Sequence, residues 1–99
     1  MQRSWVYIIS NATRSTLYIG VTNDLRRRMR EHKNGEGSLF ARRYRCYDLL
    51  YYEEWPDIRQ AIEREKQLKG WLRSRKEELI KRLNPELADL SNDFSERSF

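Results

Sequence analysis

Several residue types are scarce in this chain of 99 residues, and each scarcity excludes a class of protein. The chain has one cysteine, Cys46, so an intramolecular disulfide is excluded, and one cysteine with one histidine cannot build a structural zinc site. No apolar run approaches the roughly 18 residues needed to span a bilayer, and the N-terminus lacks the apolar segment of a secretory signal. We therefore expect a cytoplasmic protein that does not enter the membrane.

Apolar residues are also few, at 38% of the chain against 35% charged residues, with a mean hydropathy of −0.96. The 12% of aromatic residues nevertheless argues against disorder, because chains that stay unfolded carry few aromatic side chains. We expect one small domain over residues 1–90, followed by an acidic and loosely ordered tail over residues 91–99.

Positive charge is concentrated before the tail. Residues 1–85 hold 19 bases and 11 acids, a net charge of +8, whereas the chain as a whole carries +5. A small basic domain with a separate acidic tail commonly binds a polyanion, and nucleic acid is the first candidate. The alternative is a charged surface that only keeps the protein soluble.

Local patterns predict an α+β fold with the order β-β-α-β-α-α. Asp24 or Asn23 caps the first helix, Asp57 caps the second, and Ser74 begins a third that ends at Asn84. The strands are predicted over residues 5–9, 17–21 and 47–54, and the helices over 24–33, 57–69 and 74–83. Residues 36–46 are predicted to form a loop.

The first two strands are predicted to form a hairpin. A loop centred between Ala12 and Thr13 places Tyr7 directly opposite Tyr18, with both phenols on one face. In the third strand, alternation predicts Leu49 and Tyr51 on one face.

An acidic residue lies in an apolar stripe of the second helix. At about 100° per residue, Glu65 falls near the middle of the stripe, and an unpaired buried carboxylate needs a cation, a donor cluster or a metal ion. The alternative is an ion pair between Glu65 and Lys69, four residues apart. The apolar positions predicted to face inward are Ile58, Ala61, Ile62, Leu68 and Leu72.

The first helix has only two apolar residues, Leu25 and Met29, and His32 falls on their side of the helix with Arg28 at its border. We expect contact between one or more of the helix arginines and phosphate. The alternative is a solvated basic face with His32 as an ordinary edge residue.

These residues together resemble the GIY-YIG endonuclease domain, in its small stand-alone bacterial branch. The match runs through Trp5-Val6-Tyr7, Tyr18-Ile19-Gly20, Arg28, His32 and Ala61-Ile62-Glu63-Arg64-Glu65. It departs from the family at Trp5, which stands where the first motif opens with glycine. The resemblance implies a three-stranded antiparallel sheet flanked by helices, and hydrolysis of phosphodiester bonds with one divalent metal ion, Mg²⁺ or Mn²⁺.

The resemblance also implies roles for individual residues. Glu65 would be the metal ligand, Arg28 would stabilise the phosphoryl group, and Tyr7 and Tyr18 would position or activate water, while His32 would transfer a proton or contact phosphate. Asn84 and Lys69 are further candidates, Asn84 having a helix C-cap as its alternative role. We expect backbone contacts from a basic set comprising Arg26, Arg27, Lys33, Arg42, Arg43 and Arg45.

The expected partner is DNA in preference to RNA, bound by a monomer or weak dimer. Two other functions remain open: a non-catalytic nucleic-acid-binding module on the same fold, and a small protein-interaction domain that uses the region of Trp71 or the acidic tail. Phe40 and Trp71 are interpreted as packing residues.

Overall fold

Within residues 3–92, which the computed structural model describes, the sheet has three antiparallel strands in the order β2-β1-β3. The strands are β1 (Ser4–Ser10), β2 (Leu17–Thr22) and β3 (Asp48–Trp55). Residues 6–10 of β1 are all buried, as expected of a central strand with both faces covered. The predicted α+β fold with a three-stranded antiparallel sheet is confirmed.

Helices cover both faces of this sheet. One face, here called the α1 face, packs against α1 (Leu25–Lys33) and the short α2 (Leu39–Arg43). The opposite α3 face packs against α3 (Ile58–Lys69) and α4 (Arg73–Leu83). No helix among the residues described is long and apolar enough to cross a membrane.

The predicted element order holds, with α2 as an addition inside the predicted loop 36–46. The hydroxyl of Ser38 caps this helix by accepting from the backbone N–H of Ala41, whose side chain is buried on the α1 face. The burial of Ala41 and the Ser38 cap therefore stabilise a single helical turn. Five residues are too few for an apolar periodicity to predict such a helix.

The predicted hairpin register is wrong by two residues. Tyr7 pairs with Gly20, and Tyr18 pairs with Ile9, because the loop runs from Asn11 to Thr16 instead of being centred between Ala12 and Thr13. A shift of two keeps every side chain on its face, since side chains alternate with a period of two. Tyr7 and Tyr18 therefore still share the α1 face, as diagonal neighbours with ring centroids 6.5 Å apart.

A β-bulge changes the predicted alternation in β3. Ile8 pairs with Tyr51 and Ile9 with Leu49, so Leu50 is the extra residue between them. Leu50 and Tyr51 consequently both belong to the α3 face, whereas Leu49 packs on the α1 face. The prediction that Leu49 and Tyr51 share a face is wrong for this reason.

The predicted apolar stripe of α3 is narrower than expected. Ala61 and Leu68 are buried against the sheet, but Ile58 and Ile62 are 44% and 36% exposed. Leu72, the last of the stripe, lies beyond the helix and is 78% exposed. The helix thus contacts the sheet along one narrow line.

The start of α4 also differs from the prediction. Leu72 is its N-cap and supplies no side-chain hydrogen bond, and Ser74 lies inside the first turn. The guanidinium of Arg73 donates to the backbone carbonyls of Arg14 and Ser15 in the hairpin loop and pairs with Glu77. These contacts hold the first turn two residues earlier than a cap at Ser74 would.

The segment after α4 packs back onto the sheet. Asp89 accepts from the backbone N–H of Leu49 and forms an ion pair with Lys33 at 2.9 Å, and the N–H of Leu90 donates to the carbonyl of Leu49. Ser91, predicted to begin the tail, is buried and donates to Asp89. The acidic residues predicted in the rest of the tail, Asp93 and Glu96, lie outside the described residues.

Candidate active site

A hydrogen bond between Tyr7 and His32 lies at the centre of the site. Tyr7 Oη and His32 Nε2 are 2.8 Å apart, and both residues are only 2% exposed. His32 is buried together with Leu25 and Met29, which precede it by seven and three residues and complete the buried side of α1. The predicted position of His32 on the side of Leu25 and Met29 is therefore confirmed, and the alternative of an ordinary edge residue is wrong, because the imidazole belongs to the face of the helix that docks on the sheet.

Two glycines make room for this pair of rings. A Cβ on Gly20 would overlap the ring of Tyr7, and a Cβ on Gly37 would overlap the imidazole of His32. The backbone therefore approaches both rings more closely than any residue with a side chain permits. Gly20 belongs to the predicted motif, but the role of Gly37 was missed, since a glycine in a predicted loop is usually explained by the turn alone.

Tyr18 completes a cluster of three rings. Its ring centroid lies 5.7 Å from that of His32 in an edge-on arrangement, and Tyr7 lies 5.6 Å from His32 in a similar one. Tyr18 is less buried than the other two rings, so it forms the boundary between the cluster and solvent.

The Tyr7–His32 bond joins two neutral groups at neutral pH. Burial raises the pKa of the Tyr7 phenol above its ordinary range, and the neighbouring Tyr18 raises it further. Burial, with Arg28 as the second cause, lowers the pKa of His32 to about 4. The charge of Arg28 lowers the pKa of the phenol, but desolvation outweighs it.

Arg28 lies beside this pair on α1. Its side chain is 33% exposed, and Nη1 is 3.3 Å from a carboxylate oxygen of Glu31. Its Nε is buried and has no hydrogen-bond partner within residues 3–92. A half-buried guanidinium whose side chain is still partly exposed suits an anionic ligand such as a phosphoryl group. Glu31 was not among the predicted site residues, although its i, i+3 spacing from Arg28 was a usable signal.

Glu65 lies on α3 and is linked to the cluster only through its charge. Its negative charge contributes to the raised pKa of Tyr7, which places it within electrostatic range of the phenol. Its side chain is 20% exposed, and Oε2 is 3.5 Å from Nζ of the exposed Lys69. The ion pair predicted as the alternative is therefore present.

Glu65 fits a metal ion that takes few ligands from protein. The residues described contain no cluster of three or more His, Cys, Asp or Glu side chains able to hold a metal. Mg²⁺, however, is usually bound by one or two carboxylates, several waters and phosphate oxygens of the substrate. One half-buried carboxylate that pairs with an exposed lysine meets that limited requirement.

The predicted basic set is divided over two regions. Arg42, Arg43 and Arg45 are exposed on and after α2. On α1, Arg27 contacts Asp24 and Glu31 at 4.0 and 3.9 Å, and Lys33 is already paired with Asp89. Arg26 lines a groove of α1 together with Lys33. The positive charge that remains uncompensated is therefore greatest around α2.

Asn84 is separate from the cluster. Its amide donates to the carbonyls of Leu50 and Ala88 and accepts from the N–H of Ala88, and the residue is 5% exposed. Asn84 is also the C-cap of α4. These contacts agree with the alternative role of Asn84 as a helix C-cap.

Comparison with known proteins gives consistent results. The family profile of the GIY-YIG catalytic domain matches residues 3–78. The chain is 34% identical over 82 residues to a UPF0213 protein of Bacillus pumilus, with 83% of each chain covered. It is 36% identical over 75 residues to a UPF0213 protein of Haloquadratum walsbyi, with 76% of this chain and 83% of the relative covered.

The fold is similar to a solution NMR structure of a UPF0213 protein from Bacillus halodurans. The TM-score is 0.52 at 24% sequence identity, and the alignment covers 98% of this chain and 99% of that chain. This similarity concerns the fold.

Proposed function

Since the chain belongs to the family of GIY-YIG catalytic domains, we propose that it is an endonuclease that hydrolyses phosphodiester bonds of nucleic acid with one divalent metal ion. The observation that supports this proposal most directly is the buried Tyr7–His32 pair, with Arg28 and Glu65 in electrostatic range of Tyr7. A surface that only binds nucleic acid has no use for a carboxylate near the position of a phosphate, because the two negative charges repel each other.

The pKa directions define a proton path in the proposed reaction. The phenol of Tyr7 is protonated, so it activates water by giving its own proton to Nε2 of His32 as it takes one from the water. The water oxygen then bonds to phosphorus, and the bond from phosphorus to the leaving oxygen breaks. The leaving oxygen keeps the electron pair of that bond and takes a proton from solvent water, and His32 returns its proton to solvent after the product leaves. The negative charge of a bound phosphodiester opposes the effect of Arg28 and raises the proton affinity of His32.

Arg28 is proposed to stabilise the phosphoryl group. The side chain is one-third exposed, so the charge of its guanidinium can interact with an anion beside Tyr7. Because it is half-buried, its interaction with phosphate is screened less than that of an exposed arginine. Tyr18 is proposed to position the substrate at the boundary of the cluster.

Glu65 is proposed to hold the metal ion, Mg²⁺ or Mn²⁺. Glu65 would hold the ion, which would supply positive charge next to the reacting phosphoryl group. Lys69 is proposed to neutralise Glu65 when no metal is bound, through the ion pair of 3.5 Å. The exposed arginines of α2, with Arg26 and Arg27 of α1, are proposed to hold the phosphate backbone, with DNA preferred to RNA.

The test is a cleavage screen with Glu65→Gln and, as its matched control, Glu63→Gln on the same helix. Single-stranded, duplex and branched DNA and single-stranded RNA are incubated with Mg²⁺, Mn²⁺ or EDTA. We expect metal-dependent cleavage by the wild type and by Glu63→Gln, and a loss of at least about 100-fold in Glu65→Gln, since metal catalysis contributes several kcal/mol.

The stability of Glu65→Gln separates a metal ligand from a structural residue. An exposed i, i+4 pair contributes about 0.3–0.5 kcal/mol, so we expect Tm to fall by no more than about 2–4 °C. Equal cleavage rates for Glu65→Gln and Glu63→Gln would mean that Glu65 serves only as the ion-pair partner of Lys69 and does not bind the metal. Salt-sensitive binding without cleavage of any substrate would instead support the non-catalytic binding module.

A further inference from the structure

Three aromatic rings extend from the candidate active site to the surface. The ring of Phe40 stacks on that of Tyr18, with centroids 5.9 Å apart and planes inclined by 28°. Tyr44 continues the series at 4.7 Å from Phe40. Since Tyr18 contacts His32, this aromatic row, defined as Tyr18, Phe40 and Tyr44, begins at the buried cluster.

The outer part of the aromatic row is unusually exposed. Phe40 is 45% exposed and Tyr44 is 44% exposed, so each offers a large apolar surface to solvent. The interpretation of Phe40 as a packing residue is therefore incomplete, whereas Trp71 does pack against the core of the α3 face. Exposed aromatic surface of this kind commonly marks a binding site.

The position of Phe40 is fixed by the fold of α2. Ala41 turns into the core, and the Ser38 cap fixes the start of the helix, so the neighbouring Phe40 must point outward. The N–H of Tyr44 donates to the carbonyl of Phe40, which keeps the two rings on one side of the turn. The row is thus held rigidly, and a ligand that stacks on it loses little protein conformational entropy.

Positive charge surrounds the row. Arg42, Arg43 and Arg45 are exposed within the same segment, and the guanidinium carbon of Arg43 lies 5.8 Å from the centre of the Tyr44 ring. Exposed aromatic rings next to arginines match the chemistry of a single-stranded nucleic acid, whose bases stack while its phosphates pair with cations.

We propose that the aromatic row binds unpaired nucleotides, and that the substrate of the site is a single-stranded segment of nucleic acid. In a duplex each base face is covered by the neighbouring pair, so only an unpaired base can stack on Phe40 or Tyr44. The identity of this segment as a substrate rests on the proposed nuclease function. The stacking itself does not, because binding can be measured without cleavage.

The test compares Phe40→Ala and Tyr44→Ala with Leu39→Ala. Leu39 is the matched control, because it lies on the same short helix and is 84% exposed, but it belongs to no ring contact. Fluorescence anisotropy at one fixed salt concentration measures the affinity for labelled single-stranded DNA, single-stranded RNA of the same sequence, and the corresponding DNA duplex, all with EDTA.

We expect both aromatic variants to lose roughly 5- to 150-fold in affinity for the single strands, the range known for removal of one stacking platform. Leu39→Ala should stay within about twofold of the wild type, and the weaker duplex binding should change little in all three variants. Similar losses in all three variants, or equal losses for duplex and single strand, would overturn the proposal. Comparison of the affinities for single-stranded DNA and single-stranded RNA shows whether the sugar contributes to binding.

A second measurement separates stacking from damage to the fold. Abasic sites introduced one at a time into the single-stranded oligonucleotide should weaken binding to the wild type at one or two positions. At one of these positions the penalty should disappear in Phe40→Ala, since the base and the ring act as a pair. Abasic penalties that all persist unchanged in Phe40→Ala would contradict stacking on that ring.

Failure of this proposal and failure of the nuclease function give different results. Metal-dependent cleavage that requires Glu65 but prefers duplex DNA would overturn the unpaired-strand substrate and keep the nuclease. Binding that requires Phe40 and Tyr44 without any cleavage would keep the platform and overturn the nuclease.

Discussion

Acidification should destabilise this domain through His32. Burial and the nearby Arg28 lower the pKa of His32 to about 4, from 6.5 in the unfolded chain, with Glu31 acting in the opposite direction. Between these two values the unfolded chain binds a proton that the folded chain does not, so stability falls as the pH decreases. The contribution of the neutral imidazole is fully present above pH 6.5 and is lost progressively towards pH 4.

The size of the effect follows from the two pKa values. A group with these values lowers the free energy of unfolding by about 2 kcal/mol at pH 5 relative to pH 7.5, and by about 3 kcal/mol once the folded form also titrates. For a domain of about 100 residues, 2 kcal/mol corresponds to a decrease in Tm of roughly 8–16 °C.

Urea unfolding of the wild type and of His32→Gln at pH 7.5 and pH 5.0 measures this contribution. The glutamine carbonyl can accept a hydrogen bond from Tyr7 Oη but does not titrate. All other titratable groups are the same in both proteins, so their contributions cancel in the comparison. We expect the wild type to lose about 2 kcal/mol more than the variant over this range. Because the chain has one histidine, a single imidazole resonance in the NMR spectrum reports the same pKa directly.

Parallel losses of stability in the two proteins, or an imidazole resonance that titrates near pH 6.5, would refute the reasoning. Either result would mean that His32 is hydrated in solution. The proton path proposed from Tyr7 to His32 would then lose its physical basis.

Three further predictions concern packing and charge. Gly37→Ala should lower stability by about 1–3 kcal/mol and shift the His32 resonance, because a Cβ there overlaps the imidazole. Gly70→Ala is the control: its backbone is helical and its Cβ would make only ordinary van der Waals contacts, so the change in thermal melts should stay within about 1 kcal/mol. Asn84→Ala should lower the free energy of unfolding by about 2–3 kcal/mol, since it removes three hydrogen bonds to the backbone. The cleavage rate per folded molecule should not change. A loss of cleavage at unchanged Tm would instead mean that Asn84 takes part in the reaction. Affinity for nucleic acid should fall steeply between 50 and 200 mM salt, as the net charge of +8 over residues 1–85 requires, and a flat titration would contradict electrostatic binding.

Local sequence patterns were sufficient for the order of elements and for part of the site. The caps Asp24 and Asp57 and the apolar periodicities predict helices and strands close to those observed. They also predict that Tyr7 and Tyr18 share a face, and this holds because the predicted register differs from the observed one by two residues, an even number. The placement of Arg28 beside His32 likewise follows from a spacing of four residues in a helix.

Properties that depend on how distant segments meet were not predictable in this way. The register of the hairpin depends on loop conformation, and the bulge at Leu50 depends on the fit of β3 to β1, so both predictions failed. The exposed flank of α3 at Ile58 and Ile62 results from a contact with the sheet narrower than the apolar stripe suggests.

The sequence by itself determined which chemical groups are present, the order of the strands and helices, and the faces on which the two tyrosines and the arginine lie, because these depend on spacing along one chain. Only the tertiary structure decided that Gly37 closes over His32, that Asp89 neutralises Lys33, and that Phe40 faces solvent. It also decided the protonation of Tyr7 and His32. The physical reason is that desolvation and ion pairing are set by neighbours far apart in the chain, which meet only when the domain is packed.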